Sequence, residues 1–179
     1  MAAINRFLET FRFNSREELL SQGISCVFIS HQKADNAQAK KIGDFLQQAG
    51  VEIYFDEYDK EVKTHHDANN PKALTRAICN GINNSSHMLV VVSQHTLTSN
   101  WVPFEIGYGF EKTELYILCL KDIARSSLPE YMHAGKIIRD TNGLKKLVRE
   151  LKGKPEDMPP HFLEDIMDEC IAEEETETK

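Results

Sequence analysis

The sequence predicts an α/β fold: a doubly wound parallel sheet of five strands in the order 2-1-3-4-5, with helices on both faces. Three observations predict it. Short apolar runs rich in β-branched residues recur at Ile24–Ser30, Val51–Phe55, His87–Ser93 and Glu114–Leu120. Helical patterns fill the intervals between them, and strands alternating with helices imply βαβ units, a parallel sheet and right-handed crossovers. The third and fourth runs are also nearly continuous in apolar character, as strands covered on both faces are.

Each element has its own local reason. Ser15-Arg16-Glu17-Glu18 has the form of a capping box and predicts a short helix within an N-terminal helical extension over residues 1–23. After the first strand, Ala37, Ile42, Phe45 and Leu46 fall at helical spacing within Ala34–Ala49, and Gly50 follows as a C-terminal stop. The second strand leads into a long polar connection, Asp56 to Asn70, and such loops inside a compact domain are usually functional or mobile. Pro71 then opens a helix in which Leu74, Ile78 and Ile82 recur every fourth residue, a stripe that reads as core. The third strand ends in a polar turn, and a helix follows with Trp101 at its start and Pro103 in its first turn. A short fifth strand is expected at Lys136–Arg139 and a last sheet-packing helix over Gly143–Leu151. The main domain is thus placed at 24–152. Residues 153–179 read as a linker marked by Pro155, Pro159 and Pro160, a short amphipathic helix over His161–Ala172 and an acidic, disordered tail.

Bulk properties narrow the class. A chain of 179 residues suits one domain with extensions. No apolar run reaches the roughly 18 residues of a membrane span, and the N-terminus lacks the apolar centre of a secretory signal. Cys26, Cys79, Cys119 and Cys170 are scattered with no paired spacing, so they read as reduced thiols of a cytoplasmic protein, neither a disulfide frame nor a zinc site. A net charge of −7 argues against broad nucleic-acid binding, although much of it lies in Glu173-Glu174-Glu175-Thr176-Glu177.

The chemistry is expected where such a sheet keeps its ligands, beyond the carboxyl ends of strands one and three. Ser30 and His31 end the first strand, Asp56 follows the second, Ser93 ends the third, and Trp101 and Glu105 open the next helix. Trp101 and Glu105 stand four residues apart and share one helix face. Four separate segments therefore converge on one crevice. The plainer readings stand beside this one: Ser30 and Ser93 satisfying loop backbone groups, and His31 as pocket lining or a capped loop residue instead of a general base. A phosphorylatable receiver domain is excluded, because it needs an acidic pair after strand one and an Asp ending strand three. A dinucleotide fold wants Gly-x-Gly-x-x-Gly after strand one, and Ser30-His31-Gln32-Lys33-Ala34-Asp35 holds no glycine. His65-His66-Asp67 lacks a further ligand at useful spacing, so no metal site is expected.

Three blocks carry a family resemblance. They are Phe28-Ile29-Ser30-His31 with Asp35; Val51–Glu57 followed by Ala77-Ile78-Cys79-Asn80-Gly81-Ile82-Asn83-Asn84-Ser85; and Ser93 with Trp101-x-x-x-Glu105. In this order and spacing the chain resembles a Toll/interleukin-1 receptor (TIR) domain of bacterial type, over roughly Ile24 to Leu151. The resemblance implies the flavodoxin-like sheet expected above and cleavage of NAD+ at its nicotinamide–ribose bond. It places the family's catalytic glutamate on Glu105 and its aromatic partner on Trp101. Ser30 and His31 would line the nicotinamide–ribose pocket, with Asp56 at the rim, and the loop after strand two would gate the site and mediate packing between TIR domains. Many relatives carry Gly-Asp-Ser-Leu at the start of the second helix, where this chain has Asn70-Pro71-Lys72-Ala73-Leu74 after a lengthened loop.

The implied chemistry needs no metal and no cofactor, NAD+ being the substrate. Nicotinamide leaves neutral because it is already cationic in NAD+, and positive charge moves to the ribose as an oxocarbenium-like centre. One fixed carboxylate can stabilise that charge, and Glu105 near a helix start is expected to be ionised by the helix dipole. The expected products are nicotinamide with ADP-ribose or cyclic ADP-ribose, in antiphage signalling of the Thoeris kind with an effector protein that responds to the product. Two alternatives remain: a non-catalytic adaptor or effector acting through TIR–TIR contacts, and a nucleoside deoxyribosyltransferase-like enzyme with a nucleophilic carboxylate.

Overall fold

The computed structural model describes residues 3–6, 16–55 and 70–152. Helix α1 spans Arg16–Ser21, strand β1 Cys26–Ser30, helix α2 Asn36–Gln48 and strand β2 Glu52–Tyr54. Helix α3 (Pro71–Asn83), strand β3 (His87–Val92), the one-turn α4 (Gln94–Leu97) and helix α5 (Trp101–Gly109) follow. Strands β4 (Glu114–Cys119) and β5 (Lys136–Ile138) and helix α6 (Thr141–Lys152) complete the order. The five strands form one sheet in the order β2-β1-β3-β4-β5. Every pairing is parallel, so all carboxyl ends lie along one edge of the sheet. This is the predicted flavodoxin-like architecture.

Side-chain alternation along the strands divides the interior into two layers. Val27 and Ile29 of β1, Leu89 and Val91 of β3, and Tyr116 and Leu118 of β4 pack against Ile42, Phe45 and Leu46 of α2 and Leu144, Leu147 and Val148 of α6. Cys26 and Phe28, Met88, Val90 and Val92, and Ile117 face the other way, against Ile82 of α3 and Val102 and Ile106 of α5. The predicted stripe on α3 is core as expected: Leu74 and Ile82 are buried, and Ile78 packs on the same layer.

Two glycines answer definite needs. Gly50 ends α2 with φ +78°, the left-handed conformation that a side chain strains to adopt. Gly81 lets α3 approach the sheet, since a Cβ there would stand 2.4 Å from Cε1 of Tyr54.

The amino-terminal extension carries α1 where the capping box places a short helix, and it also meets the sheet. Asn5 forms a parallel bridge with Ile53 of β2, the edge strand, and Ile53 donates its amide to Ile4 at 3.1 Å. The Asn5 side chain donates to the Phe55 carbonyl at 2.8 Å and accepts from the Phe55 amide at 3.1 Å. Arg6 pairs with Glu52 beside it. A short stretch of chain thereby satisfies backbone groups that an edge strand otherwise leaves open. The expected helix His161–Ala172 and the acidic tail lie outside the described residues.

Candidate active site

Parity along β1 sets the site. Cys26 and Phe28 face the α3–α5 layer, so Ser30, the last residue of the strand, points toward the same layer. It pairs with Val90 in the neighbouring β3. Helix α5 begins beyond the end of β3, where Ser99 Oγ accepts the amides of Trp101 at 3.2 Å and Val102 at 3.3 Å. Its inward face is Val102, Glu105, Ile106 and Gly109, which are buried. A glutamate therefore sits on the apolar face of its helix. It is only 8% exposed.

The Ser30 hydroxyl donates to Glu105 Oε2 in a short contact between two buried side chains. Burial pushes the Glu105 carboxyl up to about 7, against the opposing pull of the Ser30 hydrogen bond. This corrects the expectation that the helix dipole keeps the group ionised. The dipole acts mainly within the first turn, and Glu105 is the fifth residue of α5, where desolvation is the larger effect.

Trp101 lies at the edge of the same site and remains 37% exposed. Its ring meets Phe104 edge-on at 5.9 Å, Phe104 stacks on Tyr108 at 6.1 Å, and the Lys112 ammonium stands 5.0 Å from the Tyr108 ring centre. The outer face of α5 is thus an aromatic row, and Trp101 belongs to it while Glu105 lies on the inward face, so the two do not share one face as their spacing suggests.

The remaining candidates divide. Ring nitrogens of His31 lie 3.3 Å from the Ile29 carbonyl and 3.3 Å from Asn36 Oδ1, and its ring packs at 5.0 Å on Phe55. These contacts fit the capped loop residue among the readings of His31. Ser93 Oγ accepts the amides of His95 at 3.0 Å and Thr96 at 3.2 Å and donates to Asp35 Oδ2 at 2.5 Å. It caps α4, so its hydroxyl is engaged by the protein itself. Asp56 and His65-His66-Asp67 lie outside the described residues.

Asp35 is the residue whose part the sequence reading missed. It belongs to the Ser30-His31 block, yet its buried carboxylate reaches across to the loop after β3. Oδ1 faces His95 Nδ1 at 3.0 Å, while Oδ2 takes the Ser93 hydroxyl and stands 3.4 Å from Thr96 Oγ1. The loops that follow β1 and β3 are therefore clamped together at the switch point. A Ser-x-His after strand three, with an Asp after strand one, was the available signal.

The family profile described as "TIR domain" matches residues 27–148. The chain belongs to the TIR domain family. The fold agrees with that of the TIR domain of the Toll-related receptor TRR-2 from the lower metazoan Hydra magnipapillata, with a TM-score of 0.54 at 16% identity. That match covers 70% of this chain and 97% of the Hydra domain. No curated protein matches the sequence. Within this TIR domain the matched span holds Ser30, Glu105 and the clamp at Asp35, but excludes the amino-terminal bridge at Asn5. No described helix is long and apolar enough to cross a membrane.

Proposed function

We propose that this TIR domain cleaves NAD+ at the nicotinamide–ribose bond, with Glu105 as the catalytic residue. The observation that carries the reading is the buried Glu105 carboxylate at the sheet's switch point, held by Ser30 and flanked by the exposed ring of Trp101. A structural carboxylate with one neutral hydrogen-bond partner costs stability in such a place, whereas a ribose cation would repay that cost in the transition state. The Ser30 hydroxyl marks the position a ribose hydroxyl would take on the same oxygen. Trp101 supplies a face for the departing nicotinamide ring or a wall against water.

The reaction then runs by dissociation. The glycosidic C–N bond breaks, its electron pair goes to the pyridinium nitrogen, and neutral nicotinamide leaves. Ionised Glu105 balances the charge on the ribose carbon until water, or a nucleophile on the adenosine half, captures it. Linear or cyclic ADP-ribose results, and a role in bacterial defence with an effector that reads the product follows from the resemblance. Incubation with NAD+ and chromatographic separation of nicotinamide, ADP-ribose and its cyclic form tests this directly. A chain that leaves NAD+ intact at every concentration and pH tried would refute it.

One observation favours the second reading, an adaptor that works through contacts with other TIR domains, as members of this signalling family do. The row Trp101, Phe104 and Tyr108 exposes aromatic surface along α5, and aromatic residues are enriched at protein interfaces. Loss of self-association on Phe104→Ala with no NAD+ turnover in the parent chain would favour this role.

A further inference from the structure

At the opposite edge of the sheet from β2, a groove of about 540 Å3 opens against β5 and α6. Four cationic side chains line it: Arg125 from the connection between β4 and β5, Arg139 just after β5, and Lys146 and Arg149 from α6. The single carboxylate among its described walls, Asp140, accepts the Gly143 amide at 2.6 Å through Oδ1. Arg125, Lys146 and Arg149 form no ion pair among the described residues, while carboxylates elsewhere in the fold pair with Lys40, Lys136 and Arg6. The chain as a whole carries −7. A concentration of positive charge in this one concavity is therefore not a consequence of general basicity.

The geometry points to a binding site for a diphosphate-bearing nucleotide in this groove. Its volume falls within the range of small-ligand sites, about 300–1,000 Å3. Lys146 and Arg149 are three residues apart on one face of α6, roughly 4.5 Å along its axis, and Arg125 and Arg139 approach from other segments. That spread exceeds one phosphate and suits two linked ones. Arginine forks match phosphate oxygens in pairs, and Lys146 adds a point charge. Ile137 offers an apolar wall beside the cations for a ribose or base. Gly143 keeps the inner wall thin, since a Cβ there would press on Ile138 Cγ2 at 3.0 Å. The groove shares the carboxyl edge of the sheet with Ser30, but β5 stands three strand spacings from β1, about 14 Å. It is a second site, independent of NAD+ cleavage at Glu105.

Titration calorimetry of the full chain with inorganic pyrophosphate, ADP and adenosine tests this. Saturable one-to-one binding of pyrophosphate and ADP is expected, weakening as salt rises, with adenosine not binding. The double variant Lys146→Gln, Arg149→Gln should weaken pyrophosphate at least tenfold, whereas Lys40→Gln on α2 should leave it unchanged. Three results would overturn the site: no saturable binding of pyrophosphate, equal binding in the double variant, or binding that emerges only after Glu173, Glu174, Glu175 and Glu177 are changed to Gln. The last would give the groove to the chain's own acidic end.

Discussion

Ser30 at the end of β1 donates its hydroxyl to the carboxylate of Glu105 on α5, and this contact closes the switch point of the sheet from within. The two residues are 75 positions apart, and only strand parity and the inward face of α5 bring them together. The pairing leaves Glu105 a buried carboxyl with a single hydroxyl as its hydrogen-bond partner.

If Glu105 carries that role, Glu105→Gln keeps shape and acceptor but removes charge. NAD+ consumption should fall by a factor of about 100 to 1,000, the scale observed for one preorganised electrostatic group. Initial rates by nicotinamide release, alongside near-ultraviolet circular dichroism, separate lost chemistry from lost fold. Near-normal turnover by the variant would remove Glu105 from the mechanism.

A carboxyl displaced to about 7 makes a definite pH profile. The ionised form is the one that stabilises a cation, so kcat/KM should rise with pH and level off above a midpoint near 7. Ser30→Ala removes the hydrogen bond that opposes the shift, so the midpoint should move to higher pH. A profile flat from pH 5.5 to 8.5 in both proteins, in roughly that range of ordinary assays, would contradict an ionising Glu105.

Stability should move the other way. The folded chain holds the Glu105 proton between its ordinary value of 4.5 and about 7, while the unfolded chain has released it. The native state then binds more protons than the unfolded state, so the contribution is fully present below 4.5 and is lost as pH rises through about 7. The span corresponds to up to roughly 3 kcal/mol. Urea melts should show Glu105→Gln without that decline, and more stable than the parent at pH near 8. Equal pH slopes in the two proteins would mean that Glu105 is solvated in solution.

Much of the fold is legible in the sequence. Four apolar runs between helical patterns predict β1 to β4, a short fifth strand is expected at Lys136–Arg139, and the run from Met88 to Val92 marks the buried centre of the sheet. The Trp101-x-x-x-Glu105 spacing points to the candidate site. What periodicity could not supply was the protonation of Glu105. Neighbours at i+1 and i−3, Ile106 and Val102, signal an inward face, but the balance between dipole and desolvation depends on depth. Asn5 was also illegible, because a side-chain amide that imitates a strand partner leaves no periodic trace in the sequence.

The clamp at Asp35 yields another test. Asp35→Ala leaves the Ser93 and Thr96 hydroxyls without the carboxylate they reach in a buried setting, a loss of about 1–3 kcal/mol. Hydrogen exchange should quicken at the His95 and Thr96 amides, which Ser93 holds, more than at the β3 core. Uniform protection in the variant would show that the cap on α4 holds without Asp35.

Gly81 offers a prediction about packing alone. Tyr54 stacks on Phe28 with ring centres 5.7 Å apart, and its ring edge lies where a Cβ on residue 81 would fall, 2.4 Å from Cε1 and 2.8 Å from Cδ1. The atoms in the way belong to a ring held between strand and helix, so relief requires α3 or Tyr54 to shift. Gly81→Ala gains helix propensity of roughly 1 kcal/mol, yet overpacking of this kind costs about 1–3 kcal/mol. The expected balance is a net loss. Adding Tyr54→Leu to the same chain removes the ring and should recover part of the loss in a double-mutant cycle. A single variant as stable as the parent, or a loss that Tyr54→Leu does not reduce, would mean that the helix sits farther from the sheet than the 2.4 Å contact requires.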